Sequence, residues 1–292
     1  MHLQNPSRTM RNLSMHSQRG LSMIELLVAL AISSFLLLGI SQIYLDNKRT
    51  YLFQQSQAGN QENSRFATLM LNEYLSKAGY RRAPDQLVED AFPQVTANTD
   101  CQAFTKGSPV TAAKDQLGIC LRYQPTISGE LDCQGDGTTV FDDSKAFKAP
   151  SASSLITLVL RYEPGAELNT GALQCKSLSA SSPAYVELLT GIADFRLEFG
   201  VGGKDLLEKK LTEGSGRFVK AAAWTDNSGP IRAVRYSILL ASRESQRDGD
   251  SQIYSDWYET SDATTKARLA AGDKSRIYQV AHGTQTIRNL MP

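Results

Sequence analysis

"QRGLSMIELLVALAISSFLLLGISQIYL", residues 18–45, decides how this 292-residue chain is read, because one acidic residue stands where the surrounding pattern resists it. From Leu26 to Ile43 the run is interrupted only by the small or mildly polar residues Ser33, Ser34, Gly39, Ser41 and Gln42. Its roughly 18 positions, rising about 1.5 Å each, make a helix of about 27 Å, close to the thickness of a bilayer core. Glu25 sits at the front of that run. A carboxylate inside a membrane helix costs about 2.5–3.5 kcal/mol or more, so its presence asks for a partner.

The flanks give the run a direction. Arg8, Arg11 and Arg19 precede it with no Asp or Glu among them, and a basic flank keeps the N-terminus cytoplasmic while the rest is exported. A cleavable secretory signal matches poorly. No small-x-small site follows, since Ser41, Gln42, Ile43 and Tyr44 lead straight into more helix-forming residues, and no proline occurs from Leu21 to Arg82.

The next stretch, "YLDNKRTYLFQQSQAGNQENSRFATLMLNEYLSKAGY", places Tyr44, Tyr51, Leu52, Phe66, Leu69, Met70, Glu73, Tyr74 and Leu75 at spacings that suit one face of a helix. The apolar and amphipathic parts together predict one helix of about 55 residues, on the order of 80 Å long. Gly79 and then Pro84 mark its end. No sustained heptad with charged flanks is present, so packing against equivalent helices is favoured over a coiled coil.

Beyond Pro84 the composition becomes that of a strand-rich exported domain. Short apolar and β-branched runs recur: "LGICLRYQPTI" from Leu117, "SSLITLVLRYEP" from Ser153, "YVELLTGIADFRLEFGV" from Tyr185, "AVRYSILLASRE" from Ala233 and "RIYQVAHGTQTIRN" from Arg276. Several alternate as a sheet with one covered face does. "ITLVLRYE" is apolar on both faces until its arginine, which predicts a central strand. Gly-, Ser-, Asp- and Pro-rich loops separate the runs, among them "SGELDCQGDGTTVFDDS" and "SLSASSPA".

All four cysteines, Cys101, Cys120, Cys133 and Cys175, lie in this outer part, which suits an oxidising compartment. Their spacings match no C-x-x-C metal or redox pattern and leave three disulfide pairings open. With 41% hydrophobic and 21% charged residues the chain has enough apolar material for a core. A net charge of +1, without basic stretches interleaved with aromatics, argues against nucleic acid as the main partner.

"RGLSMIELLVALAI" resembles the type IV prepilin processing site: a short basic leader ending in Gly20, a hydrophobic Leu21, and a glutamate, Glu25, at the fifth position after the glycine. Further on, "NSRFATLMLNEYLSKAGYR", "LLTGIADFRLEFGV" and "YQVAHGTQTIRNLMP" resemble, in that order, segments of PilW-like minor pilins. The resemblance implies an α+β pilin-like fold, a long N-terminal α-helix packed on an antiparallel β-sheet of an enlarged C-terminal domain. It divides the chain into a leader over 1–20, a helix over 21–83 that is first transmembrane and then filament core, and a periplasmic or extracellular head over 84–292. It further implies cleavage by prepilin peptidase between Gly20 and Leu21, N-methylation of Leu21, and pairing of Glu25 with the new amine of a neighbouring subunit. Removing 20 of 292 residues leaves 272, and losing the three leader arginines takes the formal charge from +1 to −2. "LDCQG" and "ALQCKS" resemble paired cysteine segments of the same family, which implies Cys101 with Cys120 and Cys133 with Cys175. Leu21 replaces the commoner phenylalanine, which the family tolerates, and Gln42, where many major pilins carry a kinking proline, points to a minor subunit.

The function that the resemblance implies is a minor pilin that primes or caps a type IV pilus, with roles in biogenesis, twitching motility and possible DNA uptake or adhesion. Its partners would be other minor pilins, the major pilin, a PilY-type tip adhesin, prepilin peptidase and the inner-membrane assembly platform. It would sit in the inner membrane by a single helix, head in the periplasm, and then in the extracellular pilus. Two alternatives stand beside it: a type II secretion pseudopilin of GspJ type, and a pilus-borne module that binds a surface or glycan through Trp224, Trp257 or Tyr258.

Enzyme chemistry finds little support in the residues, and no cofactor is expected. After removal of the leader, with His2 and His16, a single histidine, His282, remains for any triad. Asp142 and Asp143 read as a solvated turn rather than an acid/base pair. "DCQGDGTTVFDD" lacks the ligand alternation of an EF-hand, and "GVGGKDLLEKKLTEGSG" lacks the Walker spacing of a phosphate loop.

Overall fold

A computed structural model describes Gly20 and residues 22–203, 218–245, 249 and 251–290. The leader through Arg19, with His2 and His16, the methylation position Leu21, and most of the glycine-rich stretch, residues 204–217, lie outside the described residues. The chain divides into two compact units, Met1–Thr50 and Tyr51–Pro292.

The first unit contains the opening turns of helix α1 (Met23–Lys77). Every described residue from 22 to 50 is exposed, including Leu26 at 52% and Phe35 at 82%. Leucines and alanines with good helix propensity, and the absence of proline, keep the backbone helical here. Among the described residues this is one helix long and apolar enough to cross a membrane.

In the second unit, α1 buries Asn60, Ala67, Leu71 and Leu75, and Ala78 follows just past its end. Steps of three and four residues place Ala67, Leu71, Leu75 and Ala78 on one stripe. This is not the face expected from the larger side chains. Tyr51, Phe66 and Leu69 are 64%, 45% and 66% exposed. The alanines on this stripe are fully buried, and their small side chains let a helix backbone lie close to a sheet. α1 stops at Lys77, where Gly79 takes φ +74° and donates its N–H to Arg122 O. The chain then turns through residues 78–83 towards the short helix α2 (Val88–Ala91).

Two antiparallel sheets stand where one was expected. Sheet one is a meander of β1 (Val110–Ala112), β2 (Gly118–Tyr123), β3 (Ile156–Glu163), β4 (Ala172–Ser177) and β5 (Val186–Thr190), in that spatial order. β3 is central. Its Leu158, Leu160 and Tyr162 join the main core with α1, while Val159 faces a smaller cluster with Phe104, Cys101 and Cys120. Burial on both faces is why this strand is apolar at nearly every position.

Sheet two contains β6 (Ile192–Val201), β7 (Phe218–Lys220), β8 (Ile231–Ser245) and β9 (Arg276–Thr286), ordered β7-β6-β8-β9. The stretch Tyr185–Val201, which reads as one strand, is two strands in different sheets. Gly191, at φ +88°, makes the switch, a conformation that L-residues with a Cβ rarely adopt. Its carbonyl accepts from Ala241 N–H of β8, so the turn is tied into sheet two at once. The far face of sheet two is covered by α3 (Gln252–Glu259) and α4 (Ala263–Ala270), whose Tyr254, Trp257 and Leu269 pack with Leu239, Ala241 and Tyr278.

Candidate assembly site

The start of α1 is built by its own residues. Ser22 N–H donates to Glu25 Oε2 at 3.0 Å, and Ile24 N–H donates to Ser22 Oγ at 3.4 Å. Leu26 N–H closes the first helical bond on Ser22 O at 3.2 Å. The sequence S-x-x-E is that of a capping box; here the glutamate satisfies the Ser22 N–H and the serine Oγ the Ile24 N–H, two backbone donors that a helix start otherwise leaves free. The sequence reading gave Glu25 only a charge to neutralise. "SMIE" already carried the cap signature, and it places the carboxylate at the positive end of the helix dipole.

Behind the cap, Ala29, Ala31, Ser33, Ser34 and Gly39 punctuate the exposed leucines and isoleucines. Ser34 Oγ donates to Leu30 O at 2.7 Å, so its polar atom is already satisfied by its own helix. A Cβ added at Gly39 would meet nothing within 4 Å. Small positions of this kind permit close helix–helix approach, which drives association where apolar side chains gain nothing by leaving lipid.

Two disulfides brace the second unit. Cys101 is bonded to Cys120 on β2 and Cys133 to Cys175 on β4, with Cα separations of 6.0 and 6.3 Å. The first belongs to the small cluster on one face of sheet one, while Cys175 and Cys133 pack with the main core. Beside Cys101, Asp100 receives Lys176 Nζ at 2.9 Å, Tyr185 OH at 2.7 Å and Thr99 Oγ1 at 3.0 Å. Burial pushes the Asp100 carboxyl up, yet the hydrogen bonds from Lys176, Tyr185 and Thr99 outweigh it and hold its pKa below the ordinary carboxylate value. Arg161 stacks over the Tyr185 ring at 3.6 Å and completes this polar knot.

Arg122 is enclosed without a carboxylate. Its guanidinium donates to Pro93 O at 2.8 Å and Ser108 O at 2.5 Å and lies 4.1 Å above Phe104, and burial lowers its pKa to about 10. It thereby fastens the connection between α2 and β1 to sheet one.

The residues weighed for chemistry or ligands are spread out. His282 is exposed on β9. Asp142 accepts from Ser144, and Asp143 Oδ2 from Ser128 N–H, both in a surface loop. Among the described residues no group of three His, Cys, Asp or Glu side chains could hold a metal ion. Trp224 and Trp257 are 5% and 6% exposed, so neither offers a ring to a sugar. Trp257 Nε1 donates to buried Asp194 Oδ2 at 2.7 Å, and Arg268 reaches Asp194 Oδ1 at 2.5 Å. Tyr258 is half-buried beside the same core.

Residues 15–41 match the prokaryotic N-terminal methylation motif, and residues 162–289 match the family of type IV pilus-assembly protein W. No curated protein matches the chain significantly. Among solved structures the fold is similar to the type IV-like pilin TTHA1219 from Thermus thermophilus, at 12% identity over 81% of this chain and 98% of that one, with a TM-score of 0.39. The motif takes in the start of the apolar helix with Glu25, and the assembly-protein match covers β4 to β9 with α3 and α4. With the methylation motif at its N-terminus and the pilus-assembly family over residues 162–289, the chain is similar to PilW-like pilins of the type IV prepilin family, a similarity that supports a role in pilus biogenesis and an N-terminal helix anchored in a membrane before assembly.

Proposed function

We propose that this chain is a non-catalytic subunit that primes or caps a type IV pilus. Prepilin peptidase cleaves between Gly20 and Leu21 on the cytoplasmic side, Leu21 is N-methylated, and the helix then leaves the inner membrane for a bundle of equivalent helices. Leu26, Leu27, Val28, Leu30 and Phe35 exchange lipid for neighbouring pilins in that step. The exchange yields no hydrophobic gain as such, so close packing at the small residues and the pairing of Glu25 with a neighbour's N-terminal amine supply the direction. The other partners are further minor pilins, the major pilin, a PilY-type tip adhesin and the assembly platform. Twitching motility, DNA uptake and adhesion depend on the finished fibre.

One observation carries this reading: an apolar helix of membrane length, exposed at every described turn, begins on a capped glutamate five residues after a glycine. The match to a pilus-assembly family over residues 162–289 favours a pilus over a secretion pseudopilus. Mass spectrometry of the N-terminus in membranes and in sheared pili tests it. A chain beginning with methylated Leu21 is expected in both fractions, and an intact leader in working pili would refute it. Deletion is expected to abolish twitching and spare secreted hydrolases, the reverse of a pseudopilin.

A further inference from the structure

The side of α1 that faces the sheets changes chemistry partway along. Two turns before Ala67, on the same stripe, stands Asn60, only 3% exposed, with Ser56 and Asn63 one turn to either side. Ala67, Leu71 and Leu75 belong to the main core, whereas among the described residues none from 51 to 66 joins a hydrophobic cluster. Where the polar side chains take over, a cleft of about 680 Å³ separates the helix from the sheets. Its far walls come from the β3–β4 turn at Asn169, from β5 at Glu187 and from the end of β8 at Arg243.

The hydrogen-bonding groups of this cleft are largely unmet. Asn60 Nδ2 donates to Ile277 O at 2.8 Å, but its Oδ1 accepts from no group among the described residues and is not sealed from solvent. An oxygen this deep takes its partner from whatever occupies the cleft. Asn63 Nδ2 reaches Thr190 O only at 3.5 Å, and the side chains of Glu187 and Arg243 have no hydrogen bond or ion pair among the described residues. The lining narrows the class of occupant. Leu52 and Ala241 supply its only apolar side chains, too little for a lipid or an aromatic ligand. Glu187 and Glu244 against Arg243 leave a formal charge of −1, which disfavours phosphate and other anions. Among the described residues no carboxylate group is dense enough to hold a metal ion. Side-chain amides offer a donor and an acceptor side by side. Neighbouring hydroxyls of an uncharged sugar do the same, and match them.

We propose that the cleft between α1 and the sheets binds a neutral saccharide, held by Asn60 and Asn63 on the helix side and by Glu187 and Arg243 on the sheet side. Such a site needs no stacking ring, so the burial of Trp224 and Trp257 does not bear on it. Every wall lies within the unit Tyr51–Pro292, so binding does not wait for assembly.

Isothermal titration calorimetry of the full-length chain, in a detergent without a sugar headgroup, tests it with three probes: lactose, maltose and diacetylchitobiose. Saturable binding of at least one is expected, with a Kd of about 1 mM or tighter. Arg243→Ala removes a side chain that has no partner in the fold. It is expected to weaken binding about tenfold, as loss of one or two hydrogen bonds gives, with thermal unfolding unchanged. Gly59→Trp adds bulk to the helix wall, where a Cβ meets nothing within 4 Å, and is expected to abolish binding by filling the cleft. If Gly59→Trp alters thermal unfolding, Arg243→Ala decides. Binding of diacetylchitobiose alone supports the proposal with a wall-type amino sugar as the source, and binding of lactose or maltose supports it with another glycan. No binding of any of the three overturns it, since the cleft then holds water only, and so does equal binding by the wild type and folded Arg243→Ala and Gly59→Trp. Either failure leaves the pilin reading standing.

Discussion

Ser22 and Glu25 together cap the start of α1: the serine backbone N–H donates to the glutamate Oε2 at 3.0 Å, while the serine Oγ accepts from Ile24 N–H. One carboxylate thus holds the helix start that a new N-terminal amine would adjoin after cleavage at Gly20. The two duties are separable. Glu25→Gln keeps an oxygen for Ser22 N–H and loses the charge, whereas Ser22→Ala keeps the charge and loses half of the cap. Ser22→Ala is expected to cost about 1 kcal/mol of local helix stability and leave assembly largely intact. Glu25→Gln is expected to enter sheared pili as poorly as Glu25→Leu. Quantitative blotting of pili against membranes measures both, and normal incorporation of the glutamine variant would assign Glu25 to capping alone.

Gly191 ties the sheets together, and its neighbour across the turn is Asn63 of α1. At φ +88° any side chain is strained, and a Cβ there would stand 3.2 Å from Asn63 Nδ2. Gly191→Ala is expected to destabilise the head by about 1–3 kcal/mol. Gly129→Ala is the control, since it shares a positive φ, +72°, with nothing within 4 Å of the added Cβ. Thermal unfolding of the two variants separates backbone strain from the crowding that is special to the sheet switch.

Legibility along the chain followed the range of the interactions. Gly20, Glu25 and the apolar run form a local pattern, and so does the doubly apolar β3, so both could be read in isolation. The division of Tyr185–Val201 could not, because Val186–Thr190 and Ile192–Val201 look alike until their separate partners, β4 and β8, are known. α3 and α4 were missed because "QIYSDWYE" and "ATTKARLA" offer only Tyr254, Trp257 and Leu269 to a core. They become necessary once Leu239 and Tyr278 of sheet two need a cover. The stripe of α1 was misplaced for a related reason: alanine gives little signal in a sequence and decides how closely a helix can lie on a sheet.

The Trp257–Asp194 bond separates core from ligand site. Asp194 is 4% exposed and takes hydrogen bonds from Trp257 Nε1 and Arg268. Trp257→Phe keeps most of the ring volume and leaves a buried carboxylate oxygen short of a donor, which is expected to cost about 1–3 kcal/mol. Chemical denaturation reads that loss. Loss of binding on a glycan array at unchanged stability would instead restore the surface-binding role for this residue.

Acid is expected to loosen the region around Cys101 through Asp100. Its carboxyl pKa is lower in the folded chain than in the unfolded one, because Lys176, Tyr185 and Thr99 bond the ionised form more strongly than burial disfavours it. A depressed pKa means that the unfolded state binds the extra proton first, so this contribution is fully present above the unfolded value, about 3.9, and is lost as the pH falls through the folded value. Stability should therefore drop below about pH 4 and stay flat on this account at neutral pH. Asp100→Asn removes the ionised acceptor. It is expected to cost about 1.5–3 kcal/mol at pH 7, the worth of hydrogen bonds to a charged group, and to flatten the acid limb of the curve. Unfolding followed from pH 7 to pH 3 for the wild type and Asp100→Asn measures both effects. Parallel acid limbs in the two proteins would show that other carboxylates set the acid stability of the head.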